Sequence, residues 1–390
     1  MIVPAPSAKG INPSSLDDNF RQSMTERHFF AALPFSYSDG KSMDIQENVP
    51  LAPLTTFKVG GPARYFAEAR TVAEVATAVD FMSSKPLPLF VLGGGSNLVI
   101  SDAGWPGLVL KIAVGGTDER SEDGKRLFDV GAGEEWDKFV ACAVARNCAG
   151  VECLSGIPGS VGGTPVQNVG AYGQEVSETI ESVLALDLKD GQLHEFCNEA
   201  CGFSYRASIF NTTERGRFII VRVTYALIPG GEPRIQYADL KKHFAGRKET
   251  PKLADARHAV RQIRASKGML ITAGDEDCRS AGSFFKNPVL SQTAYDDLVQ
   301  LAEAKGLRIP SYPAAGSMLK VSAAWLVEHA GFGKGYNSGR VGLSRKHALA
   351  IVNLGDATAA DIVTLKDHIQ ERVKDIWGIA LRPEPVFVGF

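Results

Sequence analysis

No run of apolar residues approaches the ~18 that a membrane-spanning helix requires, and the N-terminus carries Lys9 without the apolar core of a secretory signal. The six cysteines never fall at C-x-x-C spacing, which excludes the common zinc and thioredoxin-like arrangements. Cys197 and Cys201 have the spacing to approach each other on a helix, but free thiols in a reducing cytoplasm are the simpler expectation. The seven histidines form no H-E-x-x-H or comparable metal cluster. A G-x-x-x-x-G-K-[ST] phosphate loop, a G-x-G-x-x-G dinucleotide fingerprint and a G-x-S-x-G nucleophile elbow are all missing. Charge is equally unhelpful. A net charge of −2 offers no electrostatic reason for nucleic acid or an anionic membrane as partner. There is no internal repeat and no low-complexity tract.

What is present is glycine in long stretches. Val151 to Gly173, VECLSGIPGSVGGTPVQNVGAYG, holds six glycines and two prolines with hardly any charge. Such a segment is either a large surface turn or a binding loop. Inward-facing main-chain N–H groups bind anions, and glycine lets the backbone approach a ligand closely. The polar second half, QNVGAYG, favours the binding loop. A second glycine loop, Gly93 to Asn97 (GGGSN), follows the strand-like PLPLFVL, expected to be buried. Two glycine loops without either classical fingerprint point to a nucleotide cofactor clasped between two small domains.

The pattern predicts three folded regions. Residues 1–45 lack a sustained period and read as a poorly ordered extension that docks through Phe29 and Phe30. LAPLTTFKVGGPARYFAEA turns at Gly60, Gly61 and Pro62. A helix with Val72, Val75, Val79 and Met82 on one face starts behind Thr71 as cap, and then comes the strand leading to GGGSN, a small α/β unit. From about Lys111 the strand-like LVLKIAV, RLFDVGAG, SVLALDL and FIIVRVTYALIP surround the helical WDKFVACAVARN and predict a second, α+β unit. The helix DARHAVRQIRASK leads to a third region of alternating helices and short strands.

Four polar clusters stand out. Arg206 in GFSYRASIF either pairs with a carboxylate or awaits an anionic ligand. Ser283 in AGSFFKNP reads blandly as a turn or cap hydroxyl. Glu384 in LRPEPVF lies between prolines that hold its backbone against fraying. Tyr237 in IQYADL reads blandly as a surface tyrosine.

Taken in order, GGGSN, IPGSVGGTPVQNVGAYG, YRASIF, GSFFKNP and RPEP resemble the UDP-N-acetylenolpyruvoylglucosamine reductase family, from about Leu51 to Phe390. IQYADL matches the type with a tyrosine-bearing substrate segment, and GGGSN departs from the GEGSN of some members.

The resemblance implies an α+β, three-domain protein: a two-domain FAD-binding framework, PCMH/VAO-like, plus a substrate-binding α+β domain. Residues 46–113, rejoined by 378–390, and 114–267 would hold FAD, and 268–377 would close over a sugar nucleotide. On the cofactor side it implies Gly93, Gly94, Gly95, Ser96 and Asn97 in the first loop. In the second it implies Ile157, Pro158, Gly159, Ser160, Gly162, Gly163, Thr164, Gln167, Asn168, Gly170, Ala171 and Tyr172. Tyr237, Lys267, Asn287 and Lys334 would face the substrate. NADPH would reduce the flavin, and hydride would pass to the enolpyruvyl group. Arg206 and Glu384 would stabilise the reacting carboxylate, with Ser283 as general acid. Because charge builds as an enolate, Glu384 helps only as the acid or by orienting a donor. The protein is expected to be a cytoplasmic monomer with no metal. Two rivals remain. A flavin oxidase of another small hydroxylated substrate would not need the Tyr237, Lys267 and Lys334 set. A non-catalytic flavin-binding protein would not retain Arg206, Ser283 and Glu384 together.

Overall fold

The computed structural model describes residues 43–85, 87–314 and 316–390. Phe29, Phe30 and nearly all of the expected extension lie outside the described residues.

The first sheet is built from β1 (Ile45–Pro50), β2 (Pro62–Ala69), β3 (Leu89–Leu92) and β5 (Trp105–Ile112), while β4 (Leu98–Ile100) lies outside it. Its order is β1-β2-β5-β3, with β5 parallel to both neighbours. LVLKIAV therefore belongs to the first unit, not to the second where its position after the change in texture put it. The reason is burial on both faces: Leu108 and Leu110 pack into one core and Val109 into another. A central parallel strand reads as a continuous apolar run for that reason, and each fully buried leucine contributes about 1.5–3 kcal/mol. β3 differs from the expected buried strand, because it is the sheet edge and Val91 is 37% exposed.

Helix α1 (Val72–Ser83) begins at Thr71, whose Oγ1 accepts from Glu74 N–H while Glu74 accepts from Thr71 N–H, 3.2 Å each way. Such a cap is worth about 1 kcal/mol. Val75, Ala78 and Val79 then face the sheet.

The second sheet runs β12-β11-β13-β7-β6, formed by β6 (Thr117–Glu122), β7 (Lys125–Gly131), β11 (Ile180–Asp187), β12 (Leu193–Cys197) and β13 (Phe218–Pro229), with β8 (Cys148–Ala149) on the far end of β13. β9 (Gly170–Ala171) and β10 (Gln174–Glu175) make a small hairpin beside it. Helix α2 (Trp136–Ala145) packs Trp136 and Phe139 on the buried Tyr225 of β13. Cys197 ends β12 and Cys201 lies in a 3-10 turn, so the two are not on one helix, and all six cysteines are free.

Helices α3 (Ala238–His243) and α4 (Leu253–Ser266) connect to a third layer. It contains the sheet of β14 (Val289–Leu290), β15 (Ser311–Pro313) and β16 (Leu319–Val321), and that of β17 (Asn337–Ser338), β18 (Val341–Leu343) and β19 (Ile351–Asn353). Helices α5 (Gln292–Glu303), α6 (Ala323–Glu328) and α7 (Ala359–Trp377) cover them. Its core reaches back to Phe57, Val59 and Val99. Asp102, after β4, accepts from Ala359 and Ala360 N–H at the start of α7, 2.8 and 3.0 Å; a carboxylate there also meets the positive end of the helix dipole. The chain ends in β20 (Val386–Val388), parallel to β4. Among the described residues no helix is long and apolar enough to cross a membrane.

Candidate active site

The long glycine stretch is strung along residues 132–136. Gly162 N–H donates to Ala132 O, Val161 N–H to Glu134 O and Trp136 N–H to Gly159 O, at 2.9–3.0 Å. The Trp136 indole N–H holds Leu154 O at 3.0 Å, and Thr164 Oγ1 meets the Tyr225 hydroxyl at 2.6 Å. Asp137 locks the start of the stretch to α4: it accepts from Gly156 N–H at 2.6 Å, from Arg257 at 2.6 and 3.1 Å, and from Arg261. Burial pushes the Asp137 carboxyl up, but the hydrogen bonds from Arg257 and Gly156 and the two guanidinium charges outweigh it and hold the group below the usual range.

The two glycine loops touch. A Cβ on Gly94 would lie 2.5 Å from Gly159 Cα, so only glycine permits this approach. Ser96 Oγ donates to Pro158 O at 2.9 Å, and Asn97 Nδ2 bonds Gln167 Oε1 at 2.6 Å and Glu384 O at 3.3 Å. Side chains thus hold the loops together while main-chain donors are left over. The N–H groups of Gly94, Gly95, Ser96, Gly159 and Ser160 have no acceptor among the described residues. Orphan amides on a glycine-lined wall are the donor set of an anion site.

That wall borders a cavity of about 1510 Å³, which the third layer closes from the other side. Twenty-two of the sequence-predicted residues line it, and two do not. Asn168 is buried, with its amide spent on Glu175 Oε2, Ser204 O and Ser177 N–H. Lys334 is exposed outside the lining, although its charge reaches His347. The charged lining is lopsided: Arg206, Arg215, Arg264, Lys267, Lys286 and Lys320 face a single acid, Glu384.

Pairing of the FFKN segment with the C-terminal tail brings the reactive candidates together. Glu384 N–H donates to Phe284 O at 2.8 Å, Lys286 N–H donates to Arg382 O at 2.9 Å, and Phe285 bridges Pro383. Phe284, fully buried against Phe57, Phe285 and Phe387, anchors Ser283 beside them. The Ser283 hydroxyl is neither cap nor turn: Oγ lies 3.1 Å from His347 Nε2.

Arg206 combines both of its alternatives. Its Nε is 3.1 Å from Glu384 Oε1, an ion pair, yet the angle makes no hydrogen bond and the buried Nε is left without a partner. Nη2 donates to Gly170 O at 2.7 Å. The residue sits at φ 57°, a left-handed conformation held by the turn in which Ala207 N–H donates to Ser204 O. Such strain costs about 1–3 kcal/mol and clusters at functional positions.

At the end of the glycine stretch the Tyr172 ring meets the Tyr237 ring edge to face at 5.4 Å. Lys267, at the end of α4, bonds Asp239 Oδ2 at 2.6 Å beside them. Burial lowers the Lys267 ammonium, but the Asp239 hydrogen bond and neighbouring phenols raise it further, so it stays charged. Asn287 Oδ1 accepts from Ala323 N–H at the start of α6, 2.9 Å.

His347 was not among the expected residues. Burial first, then the charges of Lys267 and Lys334, push its imidazole down to about 4, so it is neutral near pH 7. Sequence offers no local signal for it, since its partner Ser283 is 64 residues away.

Two family models match the chain: the FAD binding domain over residues 63–196, and the C-terminal domain of UDP-N-acetylenolpyruvoylglucosamine reductase over residues 274–388. The protein of that name from Thermobifida fusca is 43% identical over 348 residues, 88% of this chain and 97% of the relative. That from Cutibacterium acnes is 39% identical over 385 residues, 97% of this chain and 98% of the relative. The latter match leaves too little of the chain outside for the similarity to begin only at Leu51, so it extends into the N-terminal segment. The crystal structure of UDP-N-acetylenolpyruvylglucosamine reductase from Thermus caldophilus, 27% identical, superposes with a TM-score of 0.60 and covers 89% of this chain and 100% of its own.

Proposed function

The chain belongs to the UDP-N-acetylenolpyruvoylglucosamine reductase family, and from that premise we propose that it reduces UDP-N-acetylglucosamine enolpyruvate to UDP-N-acetylmuramate with FAD and NADPH. The observation that carries this reading is the cavity itself, whose lining combines five residues with orphan amides, six cationic side chains and one acidic side chain. Both the cofactor and the substrate bear diphosphates, and an excess of donors and positive charge is what they require.

The residues present fit FAD. The orphan amides of Gly94, Gly95, Ser96, Gly159 and Ser160 would hold its diphosphate. A Cβ on Gly163 would meet only Ser160 Oγ, at 3.9 Å, so that side of the loop opens on space a ligand can fill. Bound there, FAD would supply the hydride chemistry of the reaction, with NADPH as its reductant and the enolpyruvyl double bond as acceptor.

The chain's own groups do the rest. Arg206, with a fixed charge and an unpaired Nε, binds the substrate carboxylate onto which negative charge spreads. Glu384 orients that guanidinium. Ser283 Oγ gives its proton to the carbon that becomes basic. Tyr237, Lys267 and Asn287 hold the sugar nucleotide, with Lys334 adding charge from outside the cavity.

In this reading residues 46–113 with 378–390, and 114–267, form the cofactor framework, and 268–377 the substrate domain. Support comes from the parallel pairing of β20 with β4, which returns the C-terminal tail to the first unit, and from the two distinct sheets β1-β2-β5-β3 and β12-β11-β13-β7-β6. The enzyme acts as a monomer in the cytoplasm, a reducing compartment compatible with its free thiols.

The test is spectroscopic. The purified protein should show bound flavin that NADPH bleaches and that the enolpyruvyl sugar nucleotide, without oxygen, restores. Bleaching without restoration by that substrate would overturn the assignment.

A further inference from the structure

We propose that His347 is a positioning residue for Ser283, aiming its hydroxyl into the cavity and returning its proton after each turnover. The inference rests on Ser283 as the proton donor. Ser283 Oγ and His347 Nε2 are 3.1 Å apart, and both residues line the cavity. The backbone that carries the ring is fixed: the His347 main-chain N–H donates to the fully buried Ser344 Oγ at 3.2 Å, and the His347 carbonyl accepts from Ala350 N–H at 3.1 Å.

The direction of this hydrogen bond decides the chemistry. A neutral imidazole has one N–H and one lone pair. With Nε2 as acceptor, the serine O–H points at the histidine and away from any substrate. With the proton on Nε2, the ring donates to Oγ, and the serine O–H is free to face the cavity. Only the second arrangement lets Ser283 protonate a carbon there. Burial and the charges of Lys267 and Lys334 keep the ring neutral and oppose an imidazolium.

The stoichiometry requires a return path. Reduction by NADPH consumes one proton per turnover, and a lone serine would be left as an alkoxide. As the Oγ–H bond breaks and the new C–H bond forms, the Nε2 proton moves to Oγ. A solvent proton taken up at Nδ1 keeps the half-buried ring neutral, and exchange with solvent then moves the ring proton back to Nε2, restoring the starting tautomer before the next turnover. Serine and imidazole both end neutral, and exactly one solvent proton has been used.

Stopped-flow absorbance on FAD-loaded His347→Ala, His347→Gln, Ser283→Ala and the double alanine variant tests this, with each half-reaction measured separately. Bleaching by NADPH should stay within about twofold of the parent in all four. Reoxidation by the enolpyruvyl substrate should slow about 10–10²-fold in His347→Ala, the scale of a misplaced reacting group. The double variant should be no slower than Ser283→Ala alone, because both changes break one unit. Glutamine can donate to Oγ but cannot relay a proton, so His347→Gln should recover only part of the loss. Parent-rate reoxidation in His347→Ala beside a slow Ser283→Ala overturns the inference and leaves the reading of Ser283 intact. Parent-rate reoxidation in Ser283→Ala overturns both. Full additivity in the double variant, or equal slowing of both half-reactions, also overturns the inference. If the alanine variants do not retain flavin, His347→Gln decides alone: full-rate reoxidation refutes, slow reoxidation with normal bleaching supports.

Discussion

Gly163→Val separates a loop that binds a ligand from one that merely turns. At this position the built Cβ has one neighbour within 4 Å, Ser160 Oγ at 3.9 Å, and the backbone has no positive φ. The first carbon of the side chain therefore meets no clash within the protein. Replacing glycine where the backbone is compatible changes stability by about 0.4–1 kcal/mol, through the unfolded chain. The branched carbons enter the cavity beside the free amides of Gly159 and Ser160. A diphosphate displaced from those two donors loses two charge-assisted hydrogen bonds of about 1.5–3 kcal/mol each. The sum, about 3–6 kcal/mol, corresponds to roughly 10²–10⁴ in Kd. The assay is titration of apoprotein with FAD, following quenching of flavin fluorescence, beside thermal unfolding of the apo form. Gly94→Ala is the contrasting control: its Cβ would lie 2.5 Å from Gly159 Cα, so both apo stability and binding should suffer. A Gly163→Val protein that purifies fully loaded, with Kd near the parent value, would refute the assignment of this loop.

Arg206→Lys keeps the charge but loses the planar fork, so substrate-driven reoxidation should slow about 10²–10³-fold, as when one donor to a developing anion is removed; stopped-flow should find NADPH bleaching unchanged. Asp137→Asn leaves Arg257 and Arg261 facing a neutral amide in a half-buried site, and should cost about 2–3 kcal/mol in denaturant unfolding of the apoprotein, below the full cost of breaking a buried pair. His347, neutral in the folded protein down to about pH 4 and protonated in the unfolded chain below about 6.5, makes the unfolded state bind more protons in that window. Stability should therefore fall as pH drops from about 6.5 to 4, and His347→Gln should flatten that slope; an unchanged slope in unfolding midpoints would contradict the neutral assignment.

Local chemistry settled much of this protein in advance. Thr71 and Glu74 cap α1 with a reciprocal pair only three residues apart, and the apolar spacing behind them admits no other element. The glycine loops, the proline-flanked Glu384 and the FFKN motif are legible because each depends on backbone constraints carried by neighbouring residues. β5 was misplaced by its texture because a doubly buried strand shows no alternation to mark which sheet it joins.

Tertiary structure decided the rest, because the groups involved are far apart in sequence. The net charge of −2 concealed a cavity with six cations and one acid. That sorting exists only after folding, when surface acids pair with surface bases and the lining is left positive. Asn168 sits in the binding motif yet spends its amide inside the protein, because the hairpin of β9 and β10 folds back over it. Arg206 and Glu384 meet because the C-terminal strand returns to β4 and pairs on the way with Phe284. The same return fixes Ser283, and the turn between β18 and β19 then brings His347 to its hydroxyl. A hydrogen bond across 64 residues has no local signature, since what selects it is the packing of two loops around one cavity.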